Sequence, residues 1–383
     1  MPESENKKIY WINPDRFDLK PDKSTYLESS RILLENDFQV FILTGYKGKP
    51  YLSESASFKI VSFKALQFPG FFRVNLLLKI FFWLKKRLKN NDILIVDAES
   101  LIVGVLLRRI KGCFLQLDFR TIPAGRKTLK SFIDETIVWR VLLRFLHRFA
   151  SGYSFNTESM RQELSEKFGL KTDDYVICHS GVNCQVFKPY KTDKEKKFVF
   201  IYHGTVSEEK GLKQVILSLL EINPQMKENI VFRIYGSGLD YKKFIKMVKR
   251  LGLDNTVEFK GLLDYDKIAF EISKADAGIC PFPDKAIWRT ASPLKVFEYL
   301  SCAKPVISTP VSSNKRILAD LPFVIWAEGF GSKDIAAAIE NAYRRRDELN
   351  ELGKIARDFA MSNCTWERSG NSLARYLKEK TQD

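Results

Sequence analysis

Short apolar runs rich in β-branched and aromatic residues alternate with longer amphipathic stretches along this 383-residue chain. Such alternation is typical of parallel βα units, in which each strand is followed by a helix that covers one face of the sheet. A densely charged segment without apolar periodicity, KPYKTDKEKK at 188–197, interrupts the pattern, which then starts again. The chain is therefore predicted to hold two α/β domains with the boundary in that segment.

Thirteen runs are predicted to be strands. Those of the first domain are expected to begin at Lys8, Phe38, Phe58, Asp92, Cys113, Gly152 and Tyr175, and those of the second at Phe198, Ile230, Thr256, Ala277, Pro305 and Phe323. After about residue 332 two or three consecutive helices are expected to form an appendage across the domains. Two doubly wound sheets of this kind bind ligands at the carboxyl ends of their strands, so the cleft between the domains is the expected site.

The composition is that of an ordinary globular protein, with 45% hydrophobic and 28% charged residues, and it excludes collagen-like and wholly disordered chains. The net charge is 62 − 46 = +16, and residues 51–150 hold 18 basic against 7 acidic residues. A basic excess attracts anionic partners. Nucleic acid, an anionic membrane surface and a phosphorylated substrate all stay open, although no zinc-finger spacing or ribonucleoprotein motif favours nucleic acid.

The six cysteines include no C-x-x-C pair, and several lie in apolar strand-like runs. We therefore expect reduced thiols and a cytoplasmic protein. The polar start at 1–8 lacks the apolar core of a secretory signal, and no run reaches the about 18 apolar residues that span a bilayer. The expectation is a protein that is soluble or peripherally attached to a membrane.

The segment ASPLKVFEYLSCAKPVIST at 291–309 combines a helix start, two charges and a following strand. Ser292 is predicted to be the N-cap and Pro293 the first helical residue, so that the helix start would present N–H groups to a phosphate. Lys295 and Glu298 are three residues apart and share a helix face. One of them could neutralise a phosphate while the other accepts hydrogen bonds from sugar hydroxyls. The alternative is a surface ion pair on a core helix. Spacing alone leaves both interpretations open.

Two further loops follow predicted strands. In HGTVSEEKG, from His203, Gly204 permits close backbone approach and Lys210 stands where a phosphate could be held. IYGSG supplies Gly236 and Gly238 at the next strand end. Each segment by itself is compatible with an ordinary loop, and the residue order of a P-loop is absent. Three such loops at successive strand ends of one sheet together indicate a ligand site.

The second half resembles the carboxy-terminal domain of retaining glycosyltransferases of GT-B fold, in particular glycosyltransferase family four (group 1). The matching pieces stand in the family's order: HGTVSEEKG, IYGSG, VEFKGLLDYDKI, ADAGICPFP and SPLKVFEYLSCAKPVIST. HSGVNCQVFKP at 179–189 and LDFRTIP around Asp118 are also similar to family segments, and TWERSGNSLARYL at 365–377 resembles the closing helix. The resemblance implies two Rossmann-like domains facing a cleft: an acceptor domain at 1–190, a donor domain at 191–364 and a last helix, 365–383, that packs back on the first domain.

By that resemblance Glu298 would bind the donor ribose, Lys210 the diphosphate, and the strand end at 259–263 would flank the base. Ser292, Pro293 and Leu294 would present backbone amides to phosphate or sugar. The implied donor-binding set is Gly204, Thr205, Lys210, Gly236, Gly238, Ser292, Pro293, Leu294, Lys295 and Glu298. Two positions depart from the family pattern, because Thr290 stands where a second glutamate is common and Thr205 where an arginine is frequent.

The resemblance implies retaining transfer of a sugar from a nucleoside diphosphate sugar to a hydroxyl of a saccharide or lipid-linked saccharide, in surface polysaccharide or glycolipid biosynthesis. Negative charge builds on the leaving diphosphate, so Lys210, helped by Lys295 and the helix start, would lower the barrier without a metal. No paired carboxylates can be assigned as nucleophile and acid, and same-face attack assisted by the departing phosphate is the expectation. No cofactor is expected beyond the nucleotide-sugar co-substrate.

In the first domain, Asp118 ends a predicted strand and is the candidate for contacting sugar or acceptor, which makes it the second predicted catalytic residue beside Lys210. Arg120 and Arg126 in the same loop would hold an anionic acceptor, unless they are merely solvated. His147 is expected to be a helix-surface or packing residue. His179 stands shortly before Gly181 and is expected to be a satisfied structural histidine, with a position facing the cleft as the alternative.

The segment GFFRVNLLLKIFFWLKKRLKN at 70–90 forms an amphipathic helix pattern. Asn75, Lys79, Lys86 and Lys89 gather on one side with Phe82, and the remaining face is apolar. The segment would lie on an anionic membrane at the inner face of the cell membrane, or it is an ordinary α/β helix with a basic outer stripe. The alternatives to a transferase are an inactive nucleotide-sugar-binding or scaffold protein, a sugar-nucleotide epimerase of related fold and a nucleic-acid-binding protein.

Overall fold

The computed structural model describes residues 7–17, 23–46, 58–66, 71–123, 134–193 and 195–382. The chain divides into two compact units. The first unit comprises Met1–His179 and Trp366–Asp383, and the second comprises Ser180–Thr365. Each unit holds one sheet in which every described strand pair is parallel.

The first sheet has the strand order β3-β2-β1-β4-β5-β6-β7. Its described strands are β1 Lys8–Arg16, β2 Gln39–Tyr46, β3 Lys59–Lys64, β4 Ile93–Val96, β5 Phe114–Phe119, β6 Gly152–Phe155 and β7 Val176–Ile177. Every side chain of β4 is buried, as expected of a central strand that helices cover on both faces.

The second sheet has the order β10-β9-β8-β11-β12-β13. Its described strands are β8 Phe198–His203, β9 Ile230–Tyr235, β10 Val257–Gly261, β11 Ala277–Cys280, β12 Val306–Ser308 and β13 Val324–Trp326. All thirteen strands predicted from the sequence form where the apolar runs place them. Most of the runs bury β-branched and aromatic side chains, whereas the edge strands β3 and β7 are only half-buried.

The helices of the described ranges follow the βα alternation. In the first unit they are α1 Lys23–Glu35, α2 Phe72–Arg87, α3 Leu101–Lys111, α4 Asp134–Leu143 (π-type, continued by Arg144–Leu146) and α5 Glu158–Phe168. In the second they are α6 Leu212–Glu221, α7 Pro224–Lys227, α8 Tyr241–Arg250, α9 Tyr265–Lys274, α10 Ala286–Arg289, α11 Leu294–Ser301, α12 Ser312–Leu318, α13 Ser332–Arg344 and α14 Leu349–Asn363. The last helix, α15 Trp366–Lys380, belongs to the first unit. None of the helices in these ranges has the length and apolar character that crossing a bilayer requires.

The boundary between the units lies at 179/180, eleven residues before the predicted one at 190/191. Val182 and Phe187 are fully buried in the core of the second unit, so the chain enters that unit before the charged segment begins. The segment is then held there, because the backbone N–H of Tyr190 donates to Ser273 Oγ at 3.0 Å. Local charge density suggested a linker, whereas the core contacts of residues 180–187 decide the boundary.

The carboxy-terminal helix α15 packs on α1 within the first unit. A Cβ at Gly370 would lie 2.8 Å from three carbons of Ile32, so the glycine lets the two helices approach closely. Asn36 Nδ2 donates to Asn371 Oδ1 at 2.8 Å beside this contact. Residues 366–380 thus complete the first unit although they follow the second along the chain.

Candidate functional site

The second sheet reverses its direction of growth beside β8. The chain builds outward from β8 to β9 and β10, then returns to the other side of β8 to add β11, β12 and β13. Open parallel sheets bind ligands at the carboxyl ends of the strands at such a switch point. The loops that follow β8 and β11 therefore form the candidate site.

The loops after β8 and β9 lie in direct backbone contact. The N–H of Val206 donates to the carbonyl of Ser237 at 2.9 Å. A Cβ at Gly236 would lie 2.0 Å from the carbonyl oxygen of Gly204, and a Cβ at Gly238 would lie 2.2 Å from that of Val206. Glycine at 236 and 238 is thus required by the packing of the two loops. A role of both residues in shaping a nucleotide pocket stays a prediction.

Lys210 ends a short 3₁₀ turn that is pressed against the loop after β11. Gly211 has a φ of 82°, and a Cβ there would lie 1.7 Å from the carbonyl oxygen of Pro281. Lys210 Nζ lies 3.9 Å from the ring centre of Trp288 and 5.3 Å from that of Phe282. Burial lowers the pKa of Lys210 to about 8, while the ring faces attract its charged form.

Lys295, on α11, brings a second cation to the same group of rings. Its Nζ lies 3.7 Å from the ring centre of Tyr202 and 5.2 Å from that of Phe282. The residue exposes 9% of its surface, and among the described residues its Nζ has no hydrogen-bond partner. Burial first, and the charge of Lys210 second, lower the pKa of Lys295 to about 7. A Cβ at Gly204 would lie 3.6 Å from this Nζ, so the glycine loop and the ammonium group are neighbours.

Two lysines that share ring contacts and repel each other are costly to bury. A desolvated ammonium group without a hydrogen-bonding partner destabilises the folded state, and the charges of Glu298 and Glu209 offset only part of this cost at Lys295 and Lys210. An anion bound between them would supply the hydrogen-bond acceptor that Lys295 Nζ lacks among the described residues, and it would raise both pKa values again. The pair can therefore hold a multivalent anion such as a diphosphate.

Glu298 lies one helical turn beyond Lys295 and contacts His203 rather than the lysine. Its Oε2 is 3.2 Å from His203 Nε2, although the ring nitrogen is not aimed to form a hydrogen bond. Burial raises the pKa of Glu298 to about 7, and burial with the charge of Lys295 lowers the pKa of His203 to about 3, so the imidazole is neutral. The backbone N–H of His203 donates to the Tyr299 hydroxyl at 3.2 Å.

Both members of the predicted pair are buried, since Lys295 exposes 9% and Glu298 8% of its surface. The alternative of an exposed surface ion pair is therefore wrong. Glu298 presents carboxylate oxygens at the edge of the lysine site, and such oxygens accept hydrogen bonds from hydroxyl groups.

The start of α11 differs from the prediction. Pro293 is the N-cap and Leu294 the first helical residue, and Ser292 does not cap the helix. The Ser292 hydroxyl instead accepts a hydrogen bond of 3.1 Å from the backbone N–H of Ser180, 112 residues earlier. Pro293 has no N–H to offer a ligand, and the N–H of Leu294 donates to the carbonyl of Ser292 at 3.0 Å. Of the three predicted amides, Pro293 therefore has none and that of Leu294 is used within the turn, while a contact of the Ser292 amide with phosphate stays a prediction.

The two positions that depart from the family pattern differ in exposure. Thr205 is exposed, and its carbonyl accepts a 2.8 Å hydrogen bond from the hydroxyl of Tyr202. Thr290 is buried, with its hydroxyl on the carbonyl of Ala286 at 3.1 Å at the end of α10. Neither side chain adds a charge to the lysine site.

The first-unit candidates form a buried pair. Asp118 exposes 4% of its surface, with one carboxylate oxygen accepting from Ser154 Oγ at 2.5 Å and the other from Arg120 Nε at 2.8 Å. Arg120 also donates to the carbonyl of Cys178 at 3.0 Å, and its second terminal nitrogen has no hydrogen-bond partner among the described residues. These contacts give Asp118 a structural role, and its contact with sugar or acceptor stays a prediction. Arg126 lies outside the described residues.

The two histidines of the first unit differ in exposure, so a packing role is confirmed for His147 and a structural role of His179 stays a prediction. His147 is buried with Nδ1 3.3 Å from the hydroxyl of Tyr153, and His179 is exposed.

The aromatic rings and the histidine of the site were not predicted from the sequence. Tyr202 and His203 come from β8, Phe282 from the loop after β11 and Trp288 from α10. No spacing in the sequence links these positions, because they meet only when β8 and β11 pair. His203 is adjacent to Gly204 in the motif, and that adjacency is the one signal that could have drawn attention to it.

The family model described as "Glycosyl transferases group 1" matches residues 186–359. An uncharacterized glycosyltransferase of Methanocaldococcus jannaschii is 21% identical over 295 residues, which are 76% of this chain and 68% of that protein. The chain spans about half the length of the other curated relatives it matches.

Solved structures with the same fold cover both units. A sucrose-phosphate synthase from Thermosynechococcus elongatus has a TM-score of 0.80 at 16% identity, covering 97% of this chain and 98% of that one. The Anabaena protein HepE, in complex with UDP, has a TM-score of 0.73 at 17% identity, covering 97% and 100%. At such identities the likeness establishes the fold.

Proposed function

We propose that this chain is a glycosyltransferase of the group 1 family with the GT-B fold of two Rossmann-like domains. It transfers a sugar, with retention, from a nucleoside diphosphate sugar to a hydroxyl of a saccharide or lipid-linked saccharide. The observation that carries the proposal is the pair of the half-buried Lys210 and the buried Lys295. Both Nζ atoms lie near the ring of Phe282, at the switch point of the second sheet.

The donor is proposed to lie along the carboxyl ends of β8 to β11. Lys210 and Lys295 would hold the diphosphate, with the backbone at Gly204 close to it. Glu298, beside Lys295, would accept hydrogen bonds from the ribose hydroxyls. Leu262, in the strand-end segment 259–263, exposes 76% of its surface, which favours an apolar contact with the base.

The lysines would act on the leaving group. As the bond between the anomeric carbon and the diphosphate oxygen breaks, that oxygen gains negative charge, and two fixed cations stabilise it more than they stabilise the intact donor. The acceptor oxygen bonds to the same face of the anomeric carbon, and its proton passes to the departing phosphate. The low dielectric of the ring-lined site strengthens both charge interactions. The nucleotide sugar is proposed to be the sole co-substrate, with the lysines in place of a metal.

The relatives support the class of donor and product. The structure of HepE contains UDP, so uridine diphosphate is the first probe for this chain. We place the activity in surface polysaccharide or glycolipid biosynthesis on the cytoplasmic side of the cell membrane. Arg120 and Arg126 stay the predicted contacts of an anionic acceptor, and Asp118 the predicted first-domain catalytic residue.

Isothermal titration calorimetry of the full chain with UDP, GDP, ADP and TDP tests the donor site. We expect one of them to bind selectively and Lys210→Ala to weaken it at least tenfold, because a charge-assisted hydrogen bond contributes about 1.5–3 kcal/mol. Lys246→Ala, an exposed lysine of α8, is the matched control and should leave affinity unchanged. The proposal is wrong if no nucleotide binds the folded protein.

Release of the nucleoside diphosphate from the matching nucleotide sugar, with and without acceptor sugars, then tests transfer. Product formation that depends on an acceptor supports a transferase, whereas donor binding without release supports the inactive nucleotide-sugar-binding alternative suggested by Thr205 and Thr290.

A further inference from the structure

Three neighbouring helices of the first unit carry exposed apolar stripes on their outer faces. α2 packs beside α3, and α3 contacts the end of α4. Of the twenty large hydrophobic residues that are exposed in the described part of the chain, half lie on these helices or next to them. They are Phe71, Val74, Leu78, Phe82, Ile102, Leu106, Ile110, Ile137, Val141 and Phe145.

The stripes follow helical spacing and point away from the sheet. In α2 the buried residues are Leu76, Ile80 and Leu84, so Leu78 and Phe82, which expose 52% and 59% of their surface, lie on the opposite side. α3 shows the same division, with its exposed apolar residues four positions apart. An ordinary α/β helix keeps its outer face polar, and exposed apolar patches rimmed by polar residues mark interaction sites in folded proteins. The apolar outer face of three adjacent helices therefore calls for a partner.

The charge on these helices has one sign. Residues 72–87, 101–111 and 136–149 hold eleven Lys and Arg and no Asp or Glu, and the two acidic residues of α4 stand at its start, at 134 and 135. The exposed cations include Lys85, Lys86, Arg109, Arg140 and Arg144. Two copies of the face would repel each other, and nucleic acid does not require an apolar stripe. An apolar layer flanked by cations matches the interface of an anionic lipid bilayer.

We propose that α2, α3 and α4 together form a docking surface for anionic lipid bilayers, with the apolar stripes inserted at the level of the headgroups and the cations on lipid phosphates. The surface is wider than the segment 70–90 singled out by the sequence. Asn75 and Lys79 in that segment are engaged elsewhere, because Asn75 Oδ1 accepts from the N–H of Leu66 at 3.2 Å and Lys79 Nζ donates to the carbonyl of Lys64 at 2.6 Å. Docking goes beyond the proposed sugar transfer and is measured without it.

Flotation of the full chain with vesicles tests the proposal. We expect binding to phosphatidylcholine vesicles that contain 30% phosphatidylglycerol, weaker binding at high salt and little binding to pure phosphatidylcholine. Neutralising one cation near an anionic surface costs about fivefold in the partition coefficient, so Lys85→Gln with Lys86→Gln and Lys89→Gln should lower it about a hundredfold. The control is Lys242→Gln with Lys246→Gln and Lys249→Gln on α8, which removes the same charge from a helix whose apolar residues Phe244 and Val248 are buried.

A second pair of variants tests the extent of the surface. Leu106→Gln with Val141→Gln, on α3 and α4, should reduce binding at least tenfold, as should Leu78→Gln with Phe82→Gln on α2. Ile355→Gln with Met361→Gln on α14, which are similarly exposed at 49% and 50%, should not. Equal binding to neutral vesicles, equal binding by all variants, or a dimer that forms through this face without vesicle binding would each overturn the proposal. Nucleotide affinity should be unchanged in every variant, so failure of docking and failure of the donor site are separable.

Discussion

Replacement of Lys295 by methionine should make the nucleotide-free protein more stable and the protein a poorer nucleotide binder. Methionine keeps the length and apolar stem of lysine and removes the buried charge. The two effects have opposite signs because the charge of Lys295 lowers the stability of the free protein, whereas in the complex the same charge binds the anion. If Lys295 had a structural role instead, its replacement would lower the stability of the protein.

The magnitude follows from the surroundings of Lys295. Its pKa falls from 10.5 to about 7, and at about 1.36 kcal/mol per pH unit the buried charge costs about 4–5 kcal/mol. The variant also loses the contact with the Tyr202 ring at 3.7 Å, which contributes about 1–2 kcal/mol when desolvated. We expect a net gain of about 2–4 kcal/mol near pH 6.5, which raises the Tm of a unit of this size by about 5–15 °C.

The gain has a defined pH dependence. The pKa of Lys295 is lower in the folded protein than its ordinary value of 10.5, so unfolding takes up a proton between pH about 7 and 10.5 and the wild type becomes more stable as the pH rises through that window. The difference between variant and wild type should be largest below pH 7 and disappear near pH 10. Differential scanning calorimetry from pH 6 to 10, with Lys246→Met as the exposed control, measures it.

Calorimetric titration with the nucleoside diphosphate supplies the second half of the test. Loss of one charge-assisted contact should weaken binding by about 2–3 kcal/mol, or about 30- to 150-fold. A lower Tm for Lys295→Met at pH 6.5, or an unchanged Kd, would refute the argument that an uncompensated cation is kept here for a diphosphate.

Three further predictions concern the same loops. Affinity for the nucleotide sugar should fall as the pH rises from 7 to 9, because Lys295 and Lys210, with pKa values of about 7 and 8 in the free protein, must take up protons on binding. Titrations of Lys210→Arg, whose guanidinium stays charged, should show a flatter pH profile. A profile as steep as that of the wild type would count against proton uptake by Lys210. Glu298→Gln should weaken nucleoside diphosphate binding about tenfold or more and leave pyrophosphate binding unchanged, because only the nucleotide has ribose hydroxyls. Equal losses of affinity for both ligands in calorimetry would indicate that Glu298 contacts the phosphates instead. Gly211→Ala should lower the free energy of unfolding by about 3 kcal/mol or more in chemical denaturation, because the new Cβ would lie 1.7 Å from the carbonyl oxygen of Pro281. Gly252→Ala is the control, since Gly252 has a similar φ of 67° and open space around it, and it should cost about 1 kcal/mol. Similar losses at both sites would show that φ alone determines the cost.

The strands and the order of the site loops could be predicted because their causes are local. An apolar run such as ILIV in β4 or FVFIYH in β8 is buried on both faces wherever it pairs, and the amphipathic stretch after it can only cover the sheet. The three helices after residue 332 follow from the same periodicity. The motifs around Lys210 and Glu298 fall at strand ends for this reason, so the sequence was sufficient to bring them to one edge of one sheet.

The tertiary structure decided what each side chain meets there. Ser292 has the residue type of an N-cap, yet its hydroxyl accepts a hydrogen bond from the backbone N–H of Ser180. Asp118 ends a strand as predicted, but Arg120 and Ser154 occupy both of its carboxylate oxygens. Lys210 and Lys295 lie 85 positions apart in a sequence that contains 62 basic residues. Their shared contact with Phe282 exists because β8 and β11 pair at the centre of the sheet. Contacts between distant segments depend on how the elements pack, and local propensity carries no information about them.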